Sequence, residues 1–145
     1  MNPDFADCLR KKKIWEFSRG KSLADKELKT AEKDLKDGKE GYEREKYKWS
    51  TVQAYYSMFH SARALLYAKN YREKSHYCLI IALRALYADK KLLPGSLIES
   101  LQNGKRLREE ADYYDHWSKE GAESLLQAAG KFFSLAKKLL LSDKP

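Results

Sequence analysis

The stretch from Gln53 to His76, QAYYSMFHSARALLYAKNYREKSH, is apolar, aromatic and ionisable at once. Because neither proline nor glycine occurs between Thr51 and Tyr67, we predict one long helix there, with its side chains in three rows at helical spacing. Two rows are apolar, and the third consists of Gln53, Tyr56, His60, Arg63 and Tyr67. A helix that is apolar over so wide an arc belongs in the middle of a bundle. We therefore expect Tyr56, His60 and Arg63 to face a groove or an interface.

Length and charge limit the class of protein. With 145 residues, the chain fits one domain over residues 1–145, in which residues 1–20 form a short N-terminal helix or arm. The formal net charge of +8 favours anionic partners such as RNA, DNA, nucleotides or anionic lipid. A protein whose basic side chains are merely solvated has the same composition, so charge alone does not identify a ligand.

The cysteines and the apolar runs bear on the compartment. Cys8 and Cys78 are the only cysteines and lie far apart in the sequence, so we expect neither a disulfide framework nor a zinc site of the CxxC type. The N-terminus has no apolar signal region, and the longest apolar run, residues 77–83, is too short to span a bilayer. These features predict a cytoplasmic protein without a membrane partner.

Capping and breaking residues predict the remaining helices. The first starts at Asn2–Asp4 and ends near Phe17, and the second runs from Ser22 to about Asp37, before a loop at Gly38 and Gly41. After a turn at Asn70 and Tyr71, Ser75 caps a helix from His76 to about Asp89.

The C-terminal part is predicted to be helical as well. A short helix follows Pro94 and ends or is interrupted at Asn103 and Gly104, and Ser118 caps a long helix to about Leu141. No segment alternates like a strand. We therefore predict an all-α, antiparallel up-and-down bundle of about four long helices plus one or two short ones.

A second candidate site lies in KRLREEADYYDHW, residues 105–117. Arg108 and Asp112 are four residues apart, and Tyr113 follows directly, so a charged pair stands among aromatic side chains. Arginine binds phosphate and tyrosine stacks on bases, which makes this segment a candidate part of a nucleotide-binding or RNA-binding site together with Tyr56 and Arg63.

Other chemistries have little support. The three histidines stand on different predicted segments, so no metal site is expected, and no motif for a cofactor or a hydrolase triad occurs. RNA cleavage needs only a histidine that exchanges a proton and an arginine that stabilises phosphate charge. Arg72 and His76 would supply that pair if both lay on one helical turn, as would His60 and Arg63. The alternative is that both histidines are hydrogen-bonded structural residues.

Several blocks of the sequence occur in an order that resembles the HEPN-domain family, in its small stand-alone prokaryotic branch. They are CLRKKKI (8–14), KELKTAEKDL (26–35), YYSMFHSARALL (55–66), KSH (74–76) and REEADY (108–113). The resemblance covers most of the chain. It implies a helical bundle that often dimerises and has a role with nucleotides or nucleic acid.

The resemblance also implies a partner and a possible activity. Family members are commonly paired with a minimal nucleotidyltransferase, and some pairs act as toxin and antitoxin, the HEPN protein being a metal-independent RNase. Active members carry an arginine, four to six further residues and then a histidine. Here Arg72 and His76 are separated by three residues, and Arg108 and His116 by seven.

Three functional interpretations follow. The first is a nucleotide-binding or RNA-binding homodimer that works with a nucleotidyltransferase, using Tyr56, His60, Arg63, Arg108, Asp112 and Tyr113. The second is an RNase toxin in which Arg72 and His76 carry catalysis. The third is a non-catalytic interaction protein whose polar face on the central helix is a dimer seam.

Overall fold

A computed structural model describes residues 2–142, and this part of the chain forms six α-helices and one small sheet. The helices are α1 (Pro3–Arg10), α2 (Gly20–Glu43), α3 (Tyr47–Tyr67), α4 (His76–Leu83), α5 (Gly95–Tyr113) and α6 (Lys119–Ser142). The strands β1 (Ile14–Glu16) and β2 (Tyr71–Glu73) pair antiparallel, with Trp15 opposite Arg72. The four long helices α2, α3, α5 and α6 make the bundle, which confirms the predicted fold class.

The central position of α3 follows from its apolar rows. Met58, Ala62, Leu65 and Leu66 are fully buried, and α3 packs against α2, α5 and α6. The small side chains of α3 also satisfy backbone groups, since the Ser57 hydroxyl donates to the Ala31 carbonyl of α2 at 2.8 Å. Helix α3 is therefore the element on which the others pack, as its sequence predicts.

The N-terminal prediction is wrong in its boundary. Asn2 caps α1 as expected, accepting hydrogen bonds from the backbone N–H groups of Asp4 and Phe5, but the helix ends at Arg10 rather than near Phe17. Lys12 has a positive φ of 57°, and the chain then turns into β1. The structure adds the small β1–β2 sheet, which the sequence does not reveal because a three-residue strand is too short to show alternation.

One serine and two glycines, Ser22, Gly38 and Gly41, have other roles than their sequence context predicts. Helix α2 starts at Gly20 without a side-chain cap, because the Ser22 hydroxyl donates back to the Arg19 carbonyl. It continues through Gly38, whose missing side chain lets α3 and α6 approach: a Cβ there would lie 3.0 Å from Leu126 Cδ2. The predicted loop at Gly38 and Gly41 is therefore wrong, and both residues lie inside α2.

Gly104 has the same role on α5. The predicted interruption at Asn103 and Gly104 is wrong, since α5 runs without a break to Tyr113. A Cβ on Gly104 would lie 2.9 Å from Met58 Cε and 3.4 Å from Tyr55 Cδ1, so the absence of a side chain brings α5 close to α3. This close approach positions the site described below.

The segment after β2 matches its prediction more closely. Ser75 caps α4 by accepting a hydrogen bond from the Cys78 N–H at 3.1 Å, and the helix then continues as a π-helical segment, Arg84–Ala88. The expectation that the cysteines stay unpaired is wrong: Cys8 of α1 and Cys78 of α4 form a disulfide across 70 residues. Sequence separation gave no information about this distance in space.

Candidate functional site

The polar row of α3 divides into two environments. At its C-terminal end, the Arg63 guanidinium donates to both carboxylate oxygens of Glu73, with Nη2 2.6 Å from Oε2. One turn earlier, His60 Nδ1 lies 2.6 Å from Glu27 Oε2, and its Nε2 lies 3.9 Å from Asp34 Oδ2. His60 and Arg63 thus face acidic side chains of the protein itself.

Tyr56 belongs to the other environment, at Arg108 of α5. The Arg108 guanidinium donates through Nη2 to the Tyr56 hydroxyl at 3.1 Å and through Nη1 to the Tyr113 hydroxyl at 3.0 Å. Its Cζ lies 5.4 to 5.6 Å from the ring centroids of Tyr55, Tyr56 and Tyr113. We call Arg108 and these three tyrosines the arginine–tyrosine cluster. It joins two residues that are 52 positions apart in the chain.

Arg108 donates two of its five N–H groups to tyrosine hydroxyls. Its Nε is buried and has no hydrogen-bond partner within residues 2–142, and the same part of the chain places no carboxylate within ion-pair distance of its guanidinium. Burial lowers the pKa of Arg108, and the surrounding tyrosine hydroxyls raise it by more, so the side chain is charged at every physiological pH. A charged guanidinium without an acidic partner is available to an anion.

His76 contacts Tyr55, whose ring also lies beside Arg108. Its Nδ1 is 3.4 Å from the Tyr55 hydroxyl, and its Nε2 is buried without a hydrogen-bond partner in the described part of the chain. Burial, and then the positive charge of Lys105, lower the pKa of His76 to about 4. Burial also raises the pKa of Tyr55 to about 12. At neutral pH the site therefore holds a neutral imidazole and a neutral phenol.

The condition set for Arg72 and His76, that both lie on one helical turn, is not met. Arg72 lies in β2, exposed, with its guanidinium 5.4 Å from the Phe17 ring centroid, whereas His76 is the first residue of α4 and turns inward. Asp112 is exposed, and Arg108 donates to tyrosine hydroxyls instead of to it. The structure thus brings together Tyr56, Arg108 and Tyr113 from the predicted set.

Sequence reasoning missed three contributors. Tyr55 was assigned to the core, where it is indeed 4% exposed, but its ring also lies beside Arg108 and its hydroxyl beside His76. Glu27 and Glu73, the partners of His60 and Arg63, come from α2 and β2. No spacing rule predicts contacts between residues on different elements, so only the fold identifies them.

The cluster has the chemistry of an anion site with aromatic walls. A guanidinium binds phosphate oxygens through paired N–H donors, and tyrosine rings stack on bases or hydrogen-bond to them. Among residues 2–142, no group of three or more His, Cys, Asp or Glu side chains is arranged to hold a metal ion. In the same range, no helix is long and apolar enough to cross a bilayer.

Comparison with known proteins identifies the family. A family model of the HEPN domain matches residues 24–139. In Methanocaldococcus jannaschii, the protein named "Putative toxin MJ0605" is 32% identical over 114 residues, which cover 78% of this chain and 85% of that protein. A second protein of that organism, "Putative toxin MJ0142", is 32% identical over 132 residues, covering 90% and 89%.

A further relative comes from Archaeoglobus fulgidus. This UPF0332 protein is 32% identical over 112 residues, which cover 76% of this chain and 89% of the relative. The matched region contains the whole arginine–tyrosine cluster and most of the four long helices. The helical fold and these similarities together show that the chain belongs to the HEPN domain family.

Proposed function

We propose that this HEPN protein binds nucleotide or RNA at the arginine–tyrosine cluster and acts with a minimal nucleotidyltransferase as one half of a toxin–antitoxin pair. The observation that carries the proposal is the Arg108 guanidinium, which is flanked by three tyrosine rings and keeps its buried Nε without a partner within residues 2–142. Each Nη group also keeps a second N–H beside the one that it donates to a tyrosine hydroxyl, and these are the donors from which a phosphate oxygen would accept.

The contrast with Arg63 supports this choice. Arg63 is also half-buried, but its guanidinium is occupied by the fork to Glu73, with Glu27 3.8 Å away. A phosphate that binds Arg63 would either displace the carboxylates of Glu73 and Glu27 or lie beside them, and both arrangements cost electrostatic energy. We therefore assign phosphate contact to Arg108 and a positioning role to Arg63 and His60, which fix α3 against α2 and β2.

Asp112 has a place in the same proposal. It lies one helical turn after Arg108 on α5, so the two side chains share a side of the helix. An exposed carboxylate next to a phosphate site is suited to accept hydrogen bonds from ribose hydroxyls. Asp112 would then favour a ribonucleotide over inorganic phosphate, while Tyr56 and Tyr113 meet the base.

The partnership proposal rests on the family and the relatives. Two relatives have names that contain the word toxin, and both align over more than three quarters of this chain. A toxin needs a partner that neutralises it, and the family resemblance supplies the class of that partner. We propose a homodimer that associates with a nucleotidyltransferase encoded nearby. Co-expression of the neighbouring gene followed by size-exclusion chromatography tests it, and separate elution of the two proteins contradicts it.

A second candidate function is metal-independent RNA cleavage, favoured by the position of His76. Because Tyr55 contacts both His76 and Arg108, we assign Arg108 as the arginine that would act with His76. A neutral imidazole can accept the proton of a ribose 2′-hydroxyl as that oxygen attacks the phosphorus. The P–O5′ bond then breaks, and the leaving 5′-oxygen takes up the proton from the imidazolium, while Arg108 would stabilise the phosphate charge.

Binding is tested by titrating ATP and short RNA into the purified protein in a calorimeter. We expect saturable binding that Arg108→Ala weakens roughly 10- to 100-fold. Arg106→Ala is the matched control, because Arg106 is an exposed arginine on the same helix, paired with Glu110. If the wild type binds neither ligand, the proposal fails, and a dimer seam at Tyr56 becomes the better interpretation of this face.

Cleavage is tested separately with end-labelled RNA in EDTA. We expect fragments that are lost in His76→Ala and retained in His116→Ala, since His116 lies in the exposed segment after α5. Intact RNA at a large excess of wild-type protein would exclude the RNase interpretation and leave the binding proposal untouched.

A further inference from the structure

Two exposed tryptophans flank a lysine near the arginine–tyrosine cluster. Lys48 Nζ lies 5.0 Å from the ring centroid of Trp49 and 5.7 Å from that of Trp117. Trp49 is 51% exposed and Trp117 is 42% exposed, values that are high for the most hydrophobic of the large side chains. We call these three residues the tryptophan subsite. It brings a partly exposed cation and two exposed indole rings together at one place.

The tryptophan subsite is continuous with the arginine–tyrosine cluster. Trp49 and Tyr56 are seven residues apart on α3, which is almost two turns, so they lie on the same side about 10 Å apart along the axis. Trp117 follows the end of α5, the helix that carries Arg108 and Tyr113. A small cavity beside Trp117 is lined by residues of α3, α5, α6 and the segment before α6: Thr51, Leu107, Glu110, His116, Ser118 and Gly121.

We infer that Lys48, Trp49 and Trp117 form a second, base-stacking subsite for single-stranded nucleic acid. The same strand would make its first phosphate contact with Arg108. This inference rests on the proposed function and makes it more specific. Every base has a face that stacks on an indole ring, and such stacking contributes about 1–3 kcal/mol per base without sequence preference. A lysine beside the rings supplies the charge that a backbone phosphate needs.

The spacing sets the length of the ligand. A strand that rises about 3.4 Å per nucleotide covers the distance of about 10 Å with three steps. Four consecutive nucleotides therefore reach from the Tyr56 ring to the Trp49 ring, whereas a mononucleotide reaches only one of them. The ligand that uses the whole surface is a strand of at least four nucleotides.

Asp115 opposes this subsite and supplies a test of charge. Its Oδ1 accepts a hydrogen bond from Lys48 Nζ at 3.0 Å, which holds the lysine near Trp117 but places a carboxylate beside the path of a polyanion. The Asp115 side chain is 76% exposed and that of Lys48 is 25% exposed, so removal of the carboxylate leaves a partly exposed ammonium group for a phosphate. If the path carries phosphates, Asp115→Asn must strengthen binding.

The experiment measures fluorescence anisotropy of labelled RNA and DNA oligonucleotides of two, four and eight nucleotides. We expect wild-type affinity to rise at least tenfold between two and four nucleotides. Trp49→Ala or Trp117→Ala should remove roughly 5- to 100-fold of the affinity for the octamer and leave dinucleotide binding unchanged. Trp49→Phe should retain part of it. Trp15→Ala is the matched control, because Trp15 is 39% exposed on β1 and should have no effect.

Three results would overturn the inference: an affinity that does not depend on length, equal losses in Trp15→Ala and Trp49→Ala, or weaker binding in Asp115→Asn. If the tryptophan variants instead change the sedimentation coefficient and not RNA binding, the surface is a protein interface and the inference is wrong. Failure of the proposed function gives a different result. If that function is wrong, Arg108→Ala leaves dinucleotide binding unaltered, whereas if only the inference is wrong, Arg108→Ala still weakens it.

Discussion

Arg63 Nη2 lies 2.6 Å from Glu73 Oε2, and this ion pair fastens β2 to the central helix. The Glu73 side chain is only 5% exposed and that of Arg63 is 24% exposed, so most of the pair is removed from water. Glu27 adds a second carboxylate 3.8 Å from Arg63 and also holds His60. The part of the polar row with His60 and Arg63, which looks most like a ligand site, is therefore already paired with acidic side chains of the protein.

The ion pair predicts a loss of stability without a loss of binding. Arg63→Ala leaves the Glu73 carboxylate buried and unpaired, so we expect the free energy of unfolding to fall by about 3 kcal/mol. The affinity for nucleotide or RNA of the fraction that stays folded should change less than twofold. Urea unfolding followed by circular dichroism, and calorimetry at a temperature where the variant is folded, measure the two effects.

A double variant is the control for that prediction. Arg63→Met with Glu73→Met removes both charges, so it should recover most of the stability that Arg63→Ala loses. If Arg63→Ala keeps full stability but loses ligand binding, Arg63 meets the ligand directly and our division of the polar row is wrong.

His76 makes stability depend on pH. Its pKa of about 4 in the folded protein lies below the ordinary value of 6.5, so the unfolded chain takes up this proton first as the pH falls. The contribution of His76 is thus present above pH 6.5 and is lost between pH 6.5 and 4. Allowing for partial solvent screening, we expect a loss of about 1–2 kcal/mol.

The difference between wild type and His76→Gln isolates this effect from the carboxyl groups. Urea unfolding at several pH values should show a smaller fall in stability for His76→Gln over the interval from 6.5 to 4. Burial raises the pKa of Asp34, which changes stability in the opposite direction, but it does so equally in both proteins. Parallel pH profiles would mean that His76 is accessible to protons in the folded state.

Local patterns in the sequence determined what could be predicted of the fold. The caps at Asn2 and Ser75 depend on a side chain and a backbone N–H two or three residues away, so the local sequence is enough to predict them. Ser118 likewise accepts a hydrogen bond from the Gly121 N–H at 2.9 Å. Gly38 and Gly104 were misread because their role is set by side chains of other helices, which the local sequence does not contain.

The same limit applies to the site. The sequence suggests that Tyr56 and Arg108 line one groove, and the structure places their polar atoms 3.1 Å apart. The acidic partners of Arg63 and His60 could not be predicted, because pairing between helices is decided by how α2 and β2 pack on α3. A charged side chain on a polar helix face therefore predicts a polar contact, but only the fold shows which residue is the partner in that contact.

The disulfide predicts a stability that depends on reductant. Closing a loop across 70 residues restricts the unfolded chain and stabilises the fold by about 4 kcal/mol in the chain-entropy description. We expect dithiothreitol to lower the urea midpoint of the wild type, while Cys8→Ala should have the lower midpoint with or without reductant. Titration of thiols in denaturant without reductant should find none in the wild type, and two free thiols would contradict the pairing.

Two helical glycines, each followed by a lysine, predict opposite effects on stability. A Cβ on Gly20 would collide with the backbone carbonyl oxygen of Tyr67, which cannot move without shifting the end of α3. Gly20→Ala should therefore destabilise the protein by about 1–3 kcal/mol. A Cβ on Gly130, inside α6, meets nothing within 4 Å, so Gly130→Ala should stabilise it by about 0.5–1 kcal/mol through helix propensity. Urea midpoints of the two variants measure the difference. Because the substitution is the same in both, equal midpoints would mean that Gly20 does not touch α3 and that α2 enters the bundle at another angle.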